Sequence, residues 1–394
     1  MGGAATKRVT GYYDRAVASG ERWGAFVPFD LPPFDPPLAV SAEAVARAES
    51  ALARLRDASP LVPSVDWFTF ALAQKEAVLT SQLEGTRATM GDVLDWRARS
   101  GGGVGVGPSG DVAEVANYTE AMAYAFDQIA SPAGLPISSR LLDGAHRILL
   151  QGMRSADRLP GEARRSQNWI GGTRPGNATY VPPPHAEVAR LLSALFGYVH
   201  RGDGAHSPVV RTGLVHAQFE MIHPYLDGNG RIGRLLVALL LAHWGLLERP
   251  VLYVSLALKR RRREYYDRLA DIPARGDWEG WIGFFLDAIA EASDQTVSDI
   301  HALARSVESD RRSIIDLPDV TVAAIRLFEL LPRYPVVSVA TVAHQLGLSK
   351  PTATRAIETV VRAGVLTEQT GRARGRQWAY GAYLATLVAE TELP

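Results

Sequence analysis

Apolar residues recur every three or four positions along almost the whole chain, and this spacing limits the fold more than any other feature of the sequence. The spacing matches the turn of an α-helix, about 3.6 residues, and gives each helix one apolar stripe. It predicts helices at residues 41–58, 65–85, 112–130, 138–151, 185–201, 207–222, 231–245, 255–272 and 277–310. We therefore expect a mostly α-helical protein.

Strand signals are few. The clearest lies in NWIGGTRPGNATYVPPP, residues 168–184, where two short β-favouring pieces flank a Pro-Gly-Asn turn. Such a pattern predicts a β-hairpin. The glycine-rich stretch SGGGVGVGPSG at residues 100–110 is typical of a flexible loop.

Composition narrows the class of protein. The 394 residues suit two or three domains, and 47% apolar with 21% charged residues is a globular composition. Lys and Arg balance Asp and Glu at 42 each, so no overall field attracts nucleic acid or a membrane. The absence of cysteine excludes disulfides, thiolate zinc sites and cysteine nucleophiles.

Two further features concern the membrane. No apolar signal segment follows Met1, and the apolar run LLVALLLAHW at residues 235–244 is too short to span a bilayer. A chain without cysteine also suits a reducing compartment. We expect a cytoplasmic protein without a membrane partner.

Residues 319–394 differ from the rest of the chain in their predicted order of secondary-structure elements. Residues 341–368 are typical of a helix, a tight turn at Gly347 and a second helix from Ser349, and a basic Gly-rich hairpin follows. This order resembles a winged helix-turn-helix domain. Arg372, Arg374 and Arg376 in the wing are candidate contacts to DNA phosphates, although the segment carries only eight Lys and Arg against six Asp and Glu. Because winged helices also mediate protein contacts and dimerisation, DNA binding stays open.

A polar loop, HPYLDGNGRIGR at residues 223–234, lies between two strongly apolar segments. The helix that follows it leaves its first N–H groups unpaired, and Gly228 and Gly230 allow an anion to approach them closely. Arg231 and Arg234 supply charged donors for phosphate oxygens. The loop therefore predicts a phosphate-binding site.

Two other residues of the loop supply reactive groups. Asp227 can hold a divalent cation that bridges phosphates, and a neutral imidazole at His223 can accept a proton from an attacking hydroxyl. The combination points to nucleotide transfer onto a hydroxyl. His146, His216 and His243 lie on apolar helical faces, where a packed or surface position explains them more simply than ligand binding.

The same loop matches the Fic-family signature His-Pro-Phe-x-(Asp/Glu)-Gly-Asn-Gly-Arg-x-x-Arg at every defining position, with Tyr225 for Phe. The resemblance implies a helical Fic core with the hairpin at 168–184 as a flap over the target peptide. It also implies the role of each site residue. By this resemblance, the general base is His223 and the Mg²⁺ ligand is Asp227. The anion-binding nest consists of Gly228, Asn229 and Gly230, the phosphate contacts are Arg231 and Arg234, and the flap contacts to the target are Trp169, Ile170 and Gly171.

A second match lies upstream, where TSQLEG at residues 80–85 fits the family's inhibitory motif (Ser/Thr)-x-x-x-Glu-(Gly/Asn). The resemblance implies that Glu84 pairs with Arg234, the arginine that otherwise binds the γ-phosphate of ATP. In that arrangement Glu84 and the nucleotide compete for one guanidinium group.

Taken together, the resemblance implies an auto-inhibited protein adenylyltransferase that moves AMP from Mg-ATP to a Ser, Thr or Tyr hydroxyl of a protein, itself included. We expect an N-terminal helical region at 1–110, a catalytic core at 111–290, a helical linker at 291–318 and a winged helix at 319–394.

Two alternatives stay open. One is an enzyme that removes AMP, with Glu84 positioning a water, and the other is a DNA-binding regulator whose Fic core is only a sensor. Phosphate transfer is disfavoured because relatives with that reaction have lysine at the position of Gly230 and lack the second arginine. The target, the nucleotide and the oligomeric state, including a homodimer, are not specified by the sequence.

Overall fold

The computed structural model describes residues 8–18, 21–32, 34–59, 65–100, 110–152, 158–201, 204–372 and 375–393. These residues are mostly helical, as the apolar spacing predicts. The helices are α1 (Ala42–Ala58), α2 (Val65–Leu83), α3 (Met90–Ser100), α4 (Asp111–Ala130), α5 (Ser139–Leu149), α6 (His185–Arg201), α7 (Pro208–Ile222), α8 (Asn229–His243), α9 (Val254–Arg260), α10 (Arg262–Arg275), α11 (Trp278–Ile315), α12 (Val322–Leu330), α13 (Val339–Leu346), α14 (Lys350–Arg362) and α15 (Gly381–Val388). No helix in these ranges is long and apolar enough to cross a membrane.

The strands form two small antiparallel sheets. Strands β1 (Gly11–Ala18) and β2 (Glu21–Pro28) pair as a hairpin, with Gly11 opposite Pro28. Strands β3 (Val336–Val337), β4 (Leu366–Glu368) and β5 (Trp378–Tyr380) form the second sheet in the order β3-β5-β4. The first hairpin was not predicted, because both faces of β1 carry exposed residues such as Tyr12, Tyr13 and Asp14, so apolar and polar residues do not alternate.

Two other elements differ from the sequence prediction. The helix expected at 255–272 is two helices, α9 and α10, with Arg261 at the break in a non-helical conformation. Helix α3 was not predicted. The glycine-rich loop expected at 100–110 falls mostly on residues 101–109, which lie outside the described ranges.

The chain divides into two compact units. The first contains residues 1–53, 117–248 and 254–292, and the second contains residues 54–116, 249–253 and 293–394. Each unit therefore combines segments that are far apart in sequence. The boundaries predicted at 110, 290 and 318 follow the order of the chain, because periodicity does not report which distant helices pack together.

In the first unit, α7 and α8 form the centre of the core. Both helices are buried on nearly all sides, which agrees with their almost uninterrupted apolar sequences. Trp281 of α11 is fully buried beside α7, and its indole N–H donates to the carbonyl oxygen of Gly213 at 2.9 Å. Each large apolar side chain buried in this way contributes about 1.5–3 kcal/mol to stability. The polar loop at 223–234 connects these two central helices.

The second unit holds a buried charge network beside α2. Lys75 is 1% exposed, and its Nζ donates to Asp299 Oδ2 at 2.8 Å. The hydroxyl of Tyr253 donates to the same carboxylate oxygen at 2.8 Å. At the end of α2, the amide of Gln82 donates to the carbonyl oxygen of Thr391 at 2.7 Å. The helix that ends at the TSQLEG motif thus packs within the same unit as the C-terminal residues.

The C-terminal part of this unit contains the predicted helix-turn-helix. Helix α13 ends at Gly347 in the left-handed conformation, with φ 63°, and Ser349 caps α14 through a hydrogen bond to the N–H of Thr352. Strands β4 and β5 follow. The order of elements is the predicted one, and the assignment as a winged helix stays a prediction.

Candidate functional site

His223 ends α7 in an unusual backbone conformation. Its φ of 49° and ψ of 62° lie in the left-handed region, which costs a residue with a Cβ about 1–2 kcal/mol. Its N–H completes the helix by donating to the carbonyl oxygen of Phe219 at 3.0 Å. Its own carbonyl oxygen accepts from Nε of Arg164 at 2.9 Å. The residue that the sequence predicts as the general base is therefore held in a strained conformation by its neighbours.

The start of α8 has the geometry of an anion-binding turn. Gly228 precedes the helix with φ 77°, and a Cβ at this position would lie 3.1 Å from Leu149 Cδ2. Asn229 is 3% exposed, and its side-chain amide bonds both the N–H and the carbonyl oxygen of Tyr225 at 2.8 Å. Asn229 therefore shapes the loop with its side chain, whereas the backbone N–H groups from Asn229 and Gly230 onward can meet an anion.

The two arginines of the motif are buried on α8. Arg231 is 3% exposed and Arg234 is 1% exposed. A spacing of three residues places both on neighbouring positions of one helical face. Buried guanidinium groups beside a helix N-terminus form a strongly electropositive position, as a polyphosphate requires.

Asp227 lies between the base and these arginines in sequence and is 42% exposed at its side chain. Its Oδ1 accepts from the N–H of Gly228 at 2.7 Å and from Nη2 of Arg231 at 3.4 Å. Among the described residues no cluster of three His, Asp or Glu forms a closed metal cage. One accessible carboxylate fits Mg²⁺, which is commonly bound by one or two carboxylates together with waters and substrate phosphates.

His146 supports the loop from α5, a role that the sequence did not reveal. Its Nδ1 accepts from the N–H of Gly161 at 2.9 Å, so the proton sits on Nε2, which donates to the carbonyl oxygen of Asp227 at 3.0 Å. The ring stacks on Tyr225 with centroids 3.9 Å apart, and the Tyr225 hydroxyl donates to Asp143 Oδ1 at 2.9 Å. Burial lowers the pKa of His146 to about 4, so the imidazole is neutral at pH 7.

The expectation that His146 is a packed histidine is therefore incomplete. The residue is fully buried, as expected, but both of its ring nitrogens hold backbone groups near the motif. Its sequence separation of 81 residues from Asp227 explains why no local pattern revealed the contact. His216 is also buried and packs in an aromatic cluster with Tyr265 and Trp281, as expected, and its Nδ1 in addition lies 3.1 Å from the carbonyl oxygen of Gly233 in the motif.

The flap segment folds back on itself through a single β-bridge. The N–H of Ile170 donates to the carbonyl oxygen of Tyr180 at 2.8 Å, and the N–H of Tyr180 donates back at 3.1 Å. The two predicted strands are thus reduced to one bridge. Gly171 has φ 70°, and the prolines at 182–184 have no N–H to donate, so the ladder cannot extend.

The flap residues predicted to contact the target lie at the surface. Trp169 is 40% exposed and Ile170 is 38% exposed. The hydroxyl of Tyr180, on the other side of the bridge, donates to the carbonyl oxygen of Met221, the penultimate residue of α7. The flap is therefore attached directly to the helix that carries His223.

Glu84 follows α2 at an exposed position of the second unit. Its N–H donates to the carbonyl oxygen of Ser81 at 3.0 Å, and Gly85 ends the turn with φ 100°. Arg234 belongs to the first unit. The pairing of the two side chains remains a prediction.

Five basic residues of the C-terminal segment line a groove between α14 and the β4–β5 connection. Two of the three predicted DNA contacts, Arg372 and Arg376, belong to this lining, whereas Arg374 lies outside the described residues. Further basic residues of the lining are Lys350, Arg355 and Arg362. Acidic residues offset part of this charge, since Arg362 pairs with Asp319 at 2.6 Å.

Two family models match the chain. The Fic/DOC family N-terminal domain matches residues 42–127, and the Fic/DOC family domain matches residues 136–241. Relatives named protein adenylyltransferase Fic from Culex quinquefasciatus and Drosophila virilis are each 30% identical, over 135 and 138 residues. The match covers 34% of this chain and 24% and 25% of the respective relatives. The chain thus spans about a quarter of the length of these curated relatives.

Solved structures resemble a larger part of the chain. A Fic family protein from Desulfovibrio desulfuricans G20 has a TM-score of 0.54 at 22% identity, covering 87% of this chain and 97% of that one. A Fic domain containing signaling protein from Bacteroides thetaiotaomicron VPI-5482 has a TM-score of 0.51 at 17% identity, covering 66% and 97%. At these identities the likeness shows a shared fold.

Proposed function

The chain belongs to the Fic/DOC family, and we propose that it is a protein adenylyltransferase that moves AMP from ATP to a Ser, Thr or Tyr hydroxyl of a protein. The name of the curated relatives supports this reaction. The observation that carries the proposal is the position of His223, which directly precedes the loop that leads into the anion-binding start of α8. A base and a phosphate site are thereby joined by five residues of one loop.

His223 starts the reaction in this proposal. Its neutral imidazole accepts the proton of the target hydroxyl, and the hydroxyl oxygen attacks the α-phosphorus of ATP. The bond from that phosphorus to the bridging oxygen breaks, and pyrophosphate leaves. The strained backbone of His223 fixes where the ring begins, so the imidazole needs little reorganisation to reach the hydroxyl.

The rest of the loop binds the nucleotide. The first N–H groups of α8, together with Arg231 and Arg234, bind phosphate oxygens and stabilise the charge that develops as pyrophosphate leaves. Asp227 would hold Mg²⁺, and the ion supplies neutralisation of the phosphate charge. His146 holds the backbone of Asp227 in place through the hydrogen bond from Nε2 to the carbonyl oxygen of Asp227.

The exposed Trp169 and Ile170 support a role of the flap in binding the target. A protein chain laid beside the flap contacts an apolar surface that is attached to α7 through Tyr180. Such contacts would place a target hydroxyl near His223. The sequence of the target segment would then determine which protein is modified.

One incubation tests the proposed reaction and the choice of nucleotide. The purified protein and its Glu84→Gly variant are each incubated with ATP, UTP or CTP and Mg²⁺, and intact mass is measured. We expect a gain of one adenylyl group, greater in the variant. A gain of a uridylyl, cytidylyl or phosphoryl group identifies a different reaction, and no gain on the protein or on an added protein mixture contradicts the proposal.

The groove in the C-terminal segment supports a second candidate function, binding of DNA. Its lining combines the second helix of the helix-turn-helix with Arg372 and Arg376 from the predicted wing. Helix α14 begins with Lys350 and carries Arg355, and these groups are suited to phosphate contacts at the edge of a groove.

The salt dependence of DNA affinity tests this second function. Replacing Arg372, Arg374 and Arg376 with alanine should reduce the slope of log affinity against log salt by about 2.7, because each phosphate contact contributes about 0.9. Arg312→Ala is the control, since this arginine is exposed on α11, away from the lining of the groove. An unchanged slope in the triple variant, or no binding at low salt, assigns the groove to a protein partner.

A further inference from the structure

We propose that Arg164 is a positioning residue that holds the general base and the flap in one arrangement. The inference rests on the proposed function for what the arrangement achieves, and on contacts within the first unit for the arrangement itself. Arg164 lies outside both sequence motifs described above, residues 80–85 and 223–234.

The contacts of Arg164 converge on the end of α7. Nε donates to the carbonyl oxygen of His223 at 2.9 Å, and Nη2 donates to that of Ile222 at 3.4 Å. The backbone N–H of Arg164 donates to the carbonyl oxygen of Pro224 at 2.8 Å. One residue thus binds three consecutive carbonyl groups, and the middle one belongs to the residue in the left-handed conformation.

The same guanidinium group binds both ends of the flap. Nη2 donates to the carbonyl oxygen of Pro183 at 2.5 Å, and Nη1 donates to that of Ser166 at 3.2 Å. These residues flank the bridge between Ile170 and Tyr180 on its two sides. Arg164 therefore connects the segment before the flap, the segment after the flap and the turn at His223.

Arg164 is buried, and no acidic side chain among the residues that the structure describes pairs with it. It is 2% exposed, and every hydrogen-bond acceptor of its guanidinium group is a backbone carbonyl. Burial lowers the pKa of Arg164 to about 10, so the group stays charged at pH 7. The buried charge of Arg164 is stabilised by these carbonyl groups together. The hydrogen bonds in turn hold each carbonyl group in its position.

The geometry explains why arginine occupies this position. The planar guanidinium has five N–H donors in a rigid fork, which here reach four carbonyl oxygens in different directions. A lysine ammonium carries the same charge at one point and has three donors, so it cannot span both the catalytic turn and the two ends of the flap. Arg164→Lys consequently separates positioning from charge.

The test compares Arg164→Lys with Arg165→Lys. Arg165 is the next residue, its side chain is 76% exposed, and its ion pair with Glu162 lies at the surface. For Arg164→Lys we expect AMP transfer to fall in kcat by about 10- to 100-fold, because small displacements of reacting groups have effects of this size. The Kd for ATP should stay within about threefold, since the hydrogen bonds of the Arg164 side chain go to residues 166, 183, 222 and 223 and not to residues 227–234, the proposed phosphate-binding part of the loop. Arg165→Lys should change neither quantity.

Hydrogen exchange supplies a readout that does not depend on activity. In Arg164→Lys the amides of His223, Ile170 and Tyr180 should exchange at least about tenfold faster, whereas amides in the middle of α8 keep their protection and report an intact fold. Unchanged protection at these three amides overturns the proposal, even if the protein transfers no AMP. If the wild type is inactive but the three amides lose protection, the proposed function fails and the positioning role stands.

A drop in kcat without faster exchange at the turn and the flap also contradicts the proposal, because Arg164 then acts on the reaction by another route. Equal losses in ATP affinity and kcat contradict it as well, since they indicate general damage to the site. Support requires the split between kcat and ATP affinity together with local loss of protection.

Discussion

His223→Ala is expected to lower AMP transfer by about 100- to 10,000-fold, the usual effect of removing a general base, and to leave ATP affinity nearly unchanged. In the proposed reaction the side chain acts on the attacking hydroxyl, whereas the start of α8 and its arginines bind the phosphates. The left-handed backbone of His223 adds a second expectation. Alanine tolerates this conformation no better than histidine, so the strain remains and the variant reports the loss of the imidazole.

Rates of AMP transfer and ATP affinity by calorimetry are the measurements for this variant. His301→Ala serves as the control, because His301 is exposed on α11 in the second unit and should leave both quantities unchanged. If His223→Ala keeps more than a tenth of the activity, His223 is not the general base.

Glu84→Gly is expected to raise AMP transfer by about 30-fold or more. The inhibitory role is predicted from the motif at residues 80–85, at the end of α2, in which Glu84 and the γ-phosphate would compete for Arg234. Charge-assisted hydrogen bonds of this kind contribute about 1.5–3 kcal/mol each, so releasing Glu84 costs about 2–4 kcal/mol. At about 1.4 kcal/mol per tenfold change, the competent state is populated to a few per cent or less. Glu84→Asp should release part of the inhibition, because its shorter side chain reaches the arginine poorly.

Initial rates with the target, or of auto-modification, measure this release. Glu248→Gly is a suitable control, since it also removes an exposed glutamate outside a helix. Equal rates in Glu84→Gly and wild type assign TSQLEG to a helix end without an inhibitory role. If the wild type removes AMP from a modified target and Glu84→Gly abolishes that activity, Glu84 is a catalytic residue for hydrolysis.

The helices were predictable because their apolar spacing is local information. Helices α7 and α8 were predicted within two residues at most of their ends, and the loop between them carried its chemistry in twelve consecutive residues. The flap was predicted as a β-hairpin, and in the structure its two segments pair through a single β-bridge instead of two strands. Proline and glycine at the ends of a pairing segment stop a ladder more strongly than the β-favouring residues between them extend it.

The residues that support the site could not be predicted in the same way. His146 and Arg164 act on backbone carbonyl groups that are 81 and 59 residues away in sequence. A carbonyl group is present at every position, so the acceptor leaves no mark in the sequence. A histidine or arginine within a helical or polar stretch is equally consistent with packing or solvent exposure. Only the folded chain distinguishes these roles.

In the proposed reaction the α-phosphate of ATP becomes attached to a protein hydroxyl, and the fate of two radioactive labels shows whether this bond forms. Glu84→Gly is incubated with Mg²⁺ and ATP labelled at either the α- or the γ-phosphate, and label on protein is counted after denaturation. We expect the α-label to stay on the protein and the γ-label to leave with pyrophosphate. The double variant Glu84→Gly with His223→Ala should retain neither label. γ-Label on the protein would contradict the proposed reaction. So would the absence of label from all protein when Glu84→Gly is incubated with an added protein mixture.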